Sequence, residues 1–179
     1  MQSYDYANRE GVHELSWDDV ATLAARLAEL LAPQQIETVV GLARAGLFPA
    51  TAVAISLRKE LYPARISRRF NDEVRHATPQ WRVPMSEDVE GRVVAIVDEI
   101  ADTGETLRIA TAEAYARGAS RVVTATLVAH TWANPMPDHS AMVNDALVLF
   151  PWDRQVLIDG EWMPNPEIEA ALEALQGGD

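Results

Sequence analysis

Apolar residues recur along the chain at two alternating spacings. Val20, Leu23, Leu27, Leu30 and Leu31 return at helical intervals until Pro33, and Ser16 followed by Asp19 supplies a helix start. The pattern predicts an amphipathic first helix. The β-branched run ETVVGLA then reads as a short strand ending in the small-residue loop Ala43-Arg44-Ala45-Gly46, after which helical spacing resumes over residues 47–57. A second short strand is predicted over residues 64–67. From 68 to 90 the periodicity fades around Pro79 and Pro84, which predicts a long mobile loop or a loosely paired hairpin. Loops of this length in a compact domain often act as lids. Residues 92–97 form an almost unbroken apolar run, as strands covered on both faces do. DEIADTG and a helix over about 105–117 follow, with Gly118 as the stop, and then a second buried strand over 122–129. Residues 131–145 read as a loop and 146–150 as a strand, while Asn165-Pro166-Glu167 opens a short C-terminal helix.

Strands that alternate with helices imply right-handed crossovers and an α/β fold, a doubly wound, mostly parallel sheet with helices on both faces. Ligands bind such sheets beyond the carboxyl ends of the strands, where the loops 43–46 and 98–106 fall. The 179 residues are expected to form one domain: a core over about 16–130, the mobile loop at 68–90, and a C-terminal segment over 131–179 that forms a small hood covering the site.

Composition narrows the classes of function. Hydrophobic residues make up 48% and charged residues 23%, the balance of an ordinary globular protein. Fifteen Lys and Arg against 27 Asp and Glu leave a formal charge of −12, a field that repels nucleic acid and anionic membrane. An anionic substrate therefore needs a local exception to that field. The absence of cysteine excludes disulfides, thiol nucleophiles and Cys-ligated zinc. The start of the chain has neither a basic opening nor an apolar run, and no stretch reaches the roughly 18 to 20 apolar residues of a membrane span. A cytoplasmic protein is expected. His13, His76, His130 and His139 lack metal-ligand spacing, and the glycines at 41 and 46 do not make the G-x-G-x-x-G of a dinucleotide site.

The local exception lies after the buried strand at 92–97, in Asp98, Glu99, Ile100, Ala101, Asp102, Thr103, Gly104, Glu105 and Thr106. Gly104 permits a tight turn, so that successive amide N–H groups and the start of the next helix converge on one anion, with the Thr103 and Thr106 hydroxyls as further donors. This cradle for a phosphate needs no lysine. Two adjacent carboxylates beside a phosphate are costly unless they face hydroxyls or a metal, so Asp98 and Glu99 predict a sugar diol, with Mg²⁺ neutralising nearby charge.

Four hydrophobic residues, two acids, three intervening residues and Thr-Gly-x-Thr resemble the phosphoribosyl pyrophosphate signature of type I phosphoribosyltransferases. Around this signature, VVGLARAGLFPA and FPWD resemble the bacterial and archaeal xanthine-guanine and hypoxanthine branch over about residues 16–153. The resemblance implies the fold of that family and transfer of ribose 5-phosphate from phosphoribosyl pyrophosphate to a nucleobase, with release of pyrophosphate. It implies Asp98 and Glu99 at the ribose hydroxyls, Ala101 to Thr106 at the 5′-phosphate, and Arg44, Ala45 and Gly46 at pyrophosphate, with a non-proline cis bond at Arg44-Ala45. Asp102 matches the acid that handles the proton on the purine nitrogen; the alternative for it is a helix N-cap. Mg²⁺ would enter with the substrate's pyrophosphate, with Asp98 and Glu99 as its nearest protein groups, and a homodimer is implied by analogy.

On the acceptor side the chain departs from the branch. His130 stands where a lysine usually meets the exocyclic oxygen of the base, and Ala146, Leu147 and Val148 stand where an aromatic residue stacks on it, leaving Phe150 or Trp152 to compensate. Ser67-Arg68-Arg69-Phe70 replaces a Ser-Tyr pair, which makes Arg68 and Arg69 pyrophosphate contacts or an exposed basic pair. The donor is thus expected to be kept while the base differs from guanine, xanthine or hypoxanthine. The alternative is a non-catalytic sensor of phosphoribosyl pyrophosphate with the same fold, although the acidic charge and short N-terminus offer no nucleic-acid surface.

Overall fold

The apolar run after Arg92 becomes a central strand because its side chains find hydrophobic partners on both sides of a sheet. In the computed structural model, which describes residues 9–70, 73–76 and 78–176, the elements in chain order are β1 (Val12–Glu14), α1 (Trp17–Leu31), β2 (Thr38–Leu42), α2 (Leu47–Leu57), β3 (Glu60–Ser67), β4 (Arg69–Phe70) and β5 (Glu73–Val74). They continue with β6 (Gln80–Val83), β7 (Val93–Ala101), α3 (Glu105–Ala116), β8 (Arg121–Ala129), β9 (His139–Val143), β10 (Leu147–Leu149), β11 (Gln155–Ile158), β12 (Glu161–Pro164) and α4 (Pro166–Gln176). The chain divides into two compact units, one of residues 21–143 and one built from the chain up to Val20 and from Asn144 onward.

The larger unit holds a six-stranded sheet in the order β6-β3-β2-β7-β8-β9. All neighbours are parallel except β6, which runs antiparallel to β3. From β2 the chain moves outward to β3, and from β7 it moves the other way to β8 and β9, so the order reverses between β2 and β7. The period of two along each strand sends alternate residues to opposite faces. Val40, Leu42, Val94 and Ile96 pack in one cluster with Leu107, Ala110 and Ala114 of α3. On the other face Leu47 and Ala50 of α2 lie against Gly41. Helices therefore cover both faces, as the alternation of elements predicts.

In the smaller unit β1 pairs in parallel with β10, β11 and β12 form an antiparallel hairpin, and Ala171 of α4 packs on Leu147 and Leu149. The predicted helix start is a reciprocal capping box: Ser16 N–H and Oγ donate to Asp19 Oδ2 at 2.8 and 2.6 Å, and Asp19 N–H donates to Ser16 Oγ at 3.1 Å.

Several expectations change. The strand expected over 146–150 is β10, which joins β1 and not the central sheet. The edge of that sheet is taken by β9, inside the segment read as a loop, and residues 131–143 belong to the larger unit. The second strand begins at Glu60 and not at 64. Residues 68–90 hold the β4/β5 pair, then β6, then a 3-10 turn at Glu87–Val89 capped by Ser86, which corresponds to the paired alternative; Asn71, Asp72 and Ala77 lie outside the described residues. No helix among the described residues is long and apolar enough to cross a membrane.

Candidate functional site

Because β2, β7 and β8 are adjacent and parallel, the loops at 43–46, 102–104 and 130–138 leave the same edge of the sheet. The first two flank the point where strand order reverses, the place where open α/β sheets bind ligands.

The loop after β2 is held by Ala43 N–H on the Ala64 carbonyl at 2.7 Å and by Leu47 N–H on the Arg44 carbonyl at 3.2 Å. Its non-proline cis bond joins Ala43 to Arg44, one residue before the bond expected at Arg44-Ala45. Arg44 is exposed, Ala45 is half-buried and Gly46 is buried. A side chain at Gly46 would come within 2.5 Å of Asp98 Oδ1 and 2.9 Å of Asp98 Cα, so only glycine lets this loop lie on β7. The fold thus brings together two segments that stand about fifty residues apart in the chain.

β7 runs on to Ala101, so Asp98, Glu99 and Ala101 are strand residues and not members of a loop beginning at 98. Asp98 is buried, and Glu99 N–H donates to its Oδ1 at 3.0 Å. Burial pushes the Asp98 carboxyl well above the usual carboxylate range; the charge of Glu99 and a hydrogen bond with its side chain push the same way, and only the backbone bond opposes them. Two acids are therefore crowded together where a hydroxylated or cationic partner would relieve them. Among the described residues no three His, Asp or Glu side chains cluster as a metal cage.

Gly104 has φ +81°, the left-handed region, and serves as the N-cap of α3 without a side-chain cap. A side chain there would come within 2.5 Å of the Pro135 carbonyl oxygen. Thr103 is exposed, and its Oγ1 accepts from Glu105 N–H at 3.3 Å; Glu105 and Thr106 are half-buried at the helix start. The N-cap alternative for Asp102 is thereby set aside, because Gly104 holds that position. The Asp102 carboxylate instead accepts from Trp132 Nε1–H at 3.2 Å.

The loop after β8 is tied along its length. His130 N–H donates to the Ala101 carbonyl at 3.1 Å, Asn134 N–H to the Thr103 carbonyl at 2.9 Å, and Asp138 Oδ2 accepts from Thr124 N–H and Oγ1 at 2.7 and 2.9 Å. The Asn134-Pro135 bond is cis. His130, expected to meet a base, has no solvent exposure; its ring lies beneath Trp132 at 4.4 Å and 15°, so the indole takes the exposed position. Trp132 is a residue that sequence reading missed. The available signal was an aromatic side chain three positions past a buried strand, at the carboxyl end of the sheet.

Arg68 and Arg69 leave the carboxyl end of β3, separated from β7 by β2, with the Arg68 carbonyl accepting from Arg75 and His76 N–H groups at 3.0 and 3.1 Å. Both are half-buried. In the smaller unit Phe150 is buried and stacks on the half-buried Trp152 at 4.8 Å and 7°, while Ala146, Leu147 and Val148 are buried.

Residues 11–157 match the family described as the phosphoribosyl transferase domain. Among solved structures, the chain is similar to a purine phosphoribosyltransferase from Pyrococcus horikoshii, with a TM-score of 0.73 and 27% identity over 85% of this chain and 100% of that one. It is similar in fold to a hypothetical protein from Neisseria gonorrhoeae with bound ppGpp, at a TM-score of 0.66 and 20% identity over 92% and 97%. A xanthine-guanine-hypoxanthine phosphoribosyltransferase from Helicobacter pylori is likewise similar in fold, at 0.64 and 16% over 79% and 92%. A search among curated proteins gives no match.

Proposed function

Because this chain belongs to the phosphoribosyltransferase family, we propose that it transfers ribose 5-phosphate from phosphoribosyl pyrophosphate to a purine base and releases pyrophosphate. The observation that carries this reading is the convergence of loop 43–46, the Asp98-Glu99 pair and the Gly104 turn at the reversal of strand order. Amides of residues 101–106 and the start of α3 receive the 5′-phosphate, which needs no cationic side chain. Asp98 and Glu99 accept from the ribose hydroxyls. Arg44 and the backbone of Ala45 and Gly46 hold the departing pyrophosphate, with Arg68 and Arg69 as further cations on the same edge of the sheet.

Mg²⁺ fits the crowded acids by its chemistry, since a hard cation prefers oxygen donors and offsets their charge. With no three-residue cage among the described residues, the substrate's own oxygens and water would complete its shell, and Asp98 and Glu99 are its nearest protein groups. Held there, the ion would supply positive charge to offset that of the pyrophosphate. The reacting carbon gains cationic character as the leaving group departs, so the protein contributes mainly position and electrostatics. Asp102 manages the proton on the purine nitrogen opposite the new bond. Phe150 and Trp152 are assigned to the base. A cytoplasmic homodimer completes the reading.

The test is a panel of nucleobases with phosphoribosyl pyrophosphate and Mg²⁺, followed by pyrophosphate release. Turnover of a purine is expected. Tight donor binding with no turnover across the panel would favour a sensor, and no donor uptake in calorimetry would remove the assignment of the site.

A further inference from the structure

The role given to Asp102 asks for a carboxylate held in one orientation, yet the terminal torsion of an aspartate is broad. At the start of α3 the N-cap is Gly104, and Glu105 N–H is bonded to Thr103 Oγ1, so Asp102 is not the cap of that helix. Trp132 reaches the Asp102 carboxylate directly, with Nε1–H 3.2 Å from Oδ1. His130 Nε2 stands 4.0 Å from the same oxygen.

The indole is itself held firmly. Its ring lies on the fully buried His130 imidazole, Ala133 N–H donates to the His130 carbonyl at 3.1 Å, and Asn134 N–H ties the next residues to Thr103. Trp132 nevertheless keeps 37% of its surface exposed, so it stands at the boundary between this buried support and the space outside the sheet edge. An indole N–H can only donate. It can orient a carboxylate without exchanging a proton with it, which leaves proton transfer to Asp102 and the substrate.

We propose that Trp132 is the positioning residue for Asp102: its indole N–H fixes one carboxylate oxygen, so the group meets the purine nitrogen already oriented. This rests on the reading of the chain as a purine phosphoribosyltransferase. The gain is the usual one of prior orientation, rotational freedom removed before the chemical step.

The test uses the full chain and four proteins: unmodified, Trp132→Phe, Asp102→Ala, and the double variant. Phenylalanine keeps a flat ring for His130 and loses the donor. Trp132→Phe is expected to lower kcat by roughly ten-fold or more, as misplaced catalytic groups do, with the KM for phosphoribosyl pyrophosphate changed by less than about two-fold. In the Asp102→Ala background the same substitution should change the residual kcat by less than about two-fold, because a residue acting through Asp102 has nothing left to position. Equal losses in both backgrounds, or an unchanged kcat in Trp132→Phe, overturn the proposal. If Trp132→Phe does not fold, Trp132→Tyr, which keeps a planar ring and displaces the donor, serves the same cycle. Absence of purine turnover by the unmodified chain overturns the underlying function and this role together; turnover with additive losses overturns the role of Trp132 alone.

Discussion

The loops after β2 and β7 turn on glycine backbone, and the loop after β8 presents side chains. In the first pair the critical positions are glycines: Gly46 lies on Asp98 and Gly104 turns under Pro135, the backbone to which the proposed function assigns the phosphate groups. In the loop after β8, the surface facing outward is the Trp132 indole, stacked on a buried histidine and bonded to Asp102. A backbone cradle depends on turn geometry, which few residue types satisfy. A side-chain surface changes its chemistry with each substitution. The difference fits the expectation from the sequence that the donor side keeps the family signature while the acceptor side does not.

The largest expected effect breaks the backbone side of this contrast. Gly104→Val combines a left-handed φ with a close contact to the Pro135 carbonyl, a cost of about 2–6 kcal/mol from strain and overpacking together. Donor affinity by calorimetry should fall by roughly thirty-fold or more, since about 1.4 kcal/mol is ten-fold in affinity, and the melting midpoint should drop. A variant that keeps its donor affinity would show that the amide cradle is not the phosphate site.

Asp98→Asn is expected to separate function from stability. Turnover should be lost while the free protein melts higher, by roughly 2–4 °C for each kcal/mol of relieved repulsion and desolvation. A carboxyl whose folded pKa is raised above its ordinary 3.8 holds its proton more tightly when folded. Its stabilising contribution is therefore full below 3.8 and is lost as pH rises through the raised value. The advantage of the variant should be greatest above that value and shrink as pH falls toward 3.8. Paired melts of the two proteins across roughly pH 4 to 8 read this difference directly; an advantage that grows on acidification would contradict the burial of a crowded acid.

The smallest effect concerns the base. Trp152→Ala should raise the KM for the purine by a factor of roughly two to ten, the worth of about 0.5–1.5 kcal/mol of aromatic stacking, and leave donor affinity unchanged. An effect confined to the donor would reverse the assignment.

The same contrast explains what the sequence made legible. The covered strand, the Gly104 turn and the start of α3 follow from local rules, since an apolar run, a glycine and a helical period announce themselves within a dozen residues. The Ser16-Asp19 capping box is similarly local. β1 and β9 are short, and each owes its pairing to a distant partner, β10 and β8, which local periodicity does not record. Gly46 on Asp98 and Trp132 on Asp102 are contacts across about fifty and thirty positions, set by the order of strands. His130 looked available for a base because sequence does not reveal that another ring lies over it.

The seat of Gly46 on Asp98 also constrains descent. In this chain the loop proposed for pyrophosphate could not gain a side chain at Gly46 without disturbing the strand proposed to hold the sugar, so the two positions are tied to each other. Altered donor specificity would require concerted replacements in both segments.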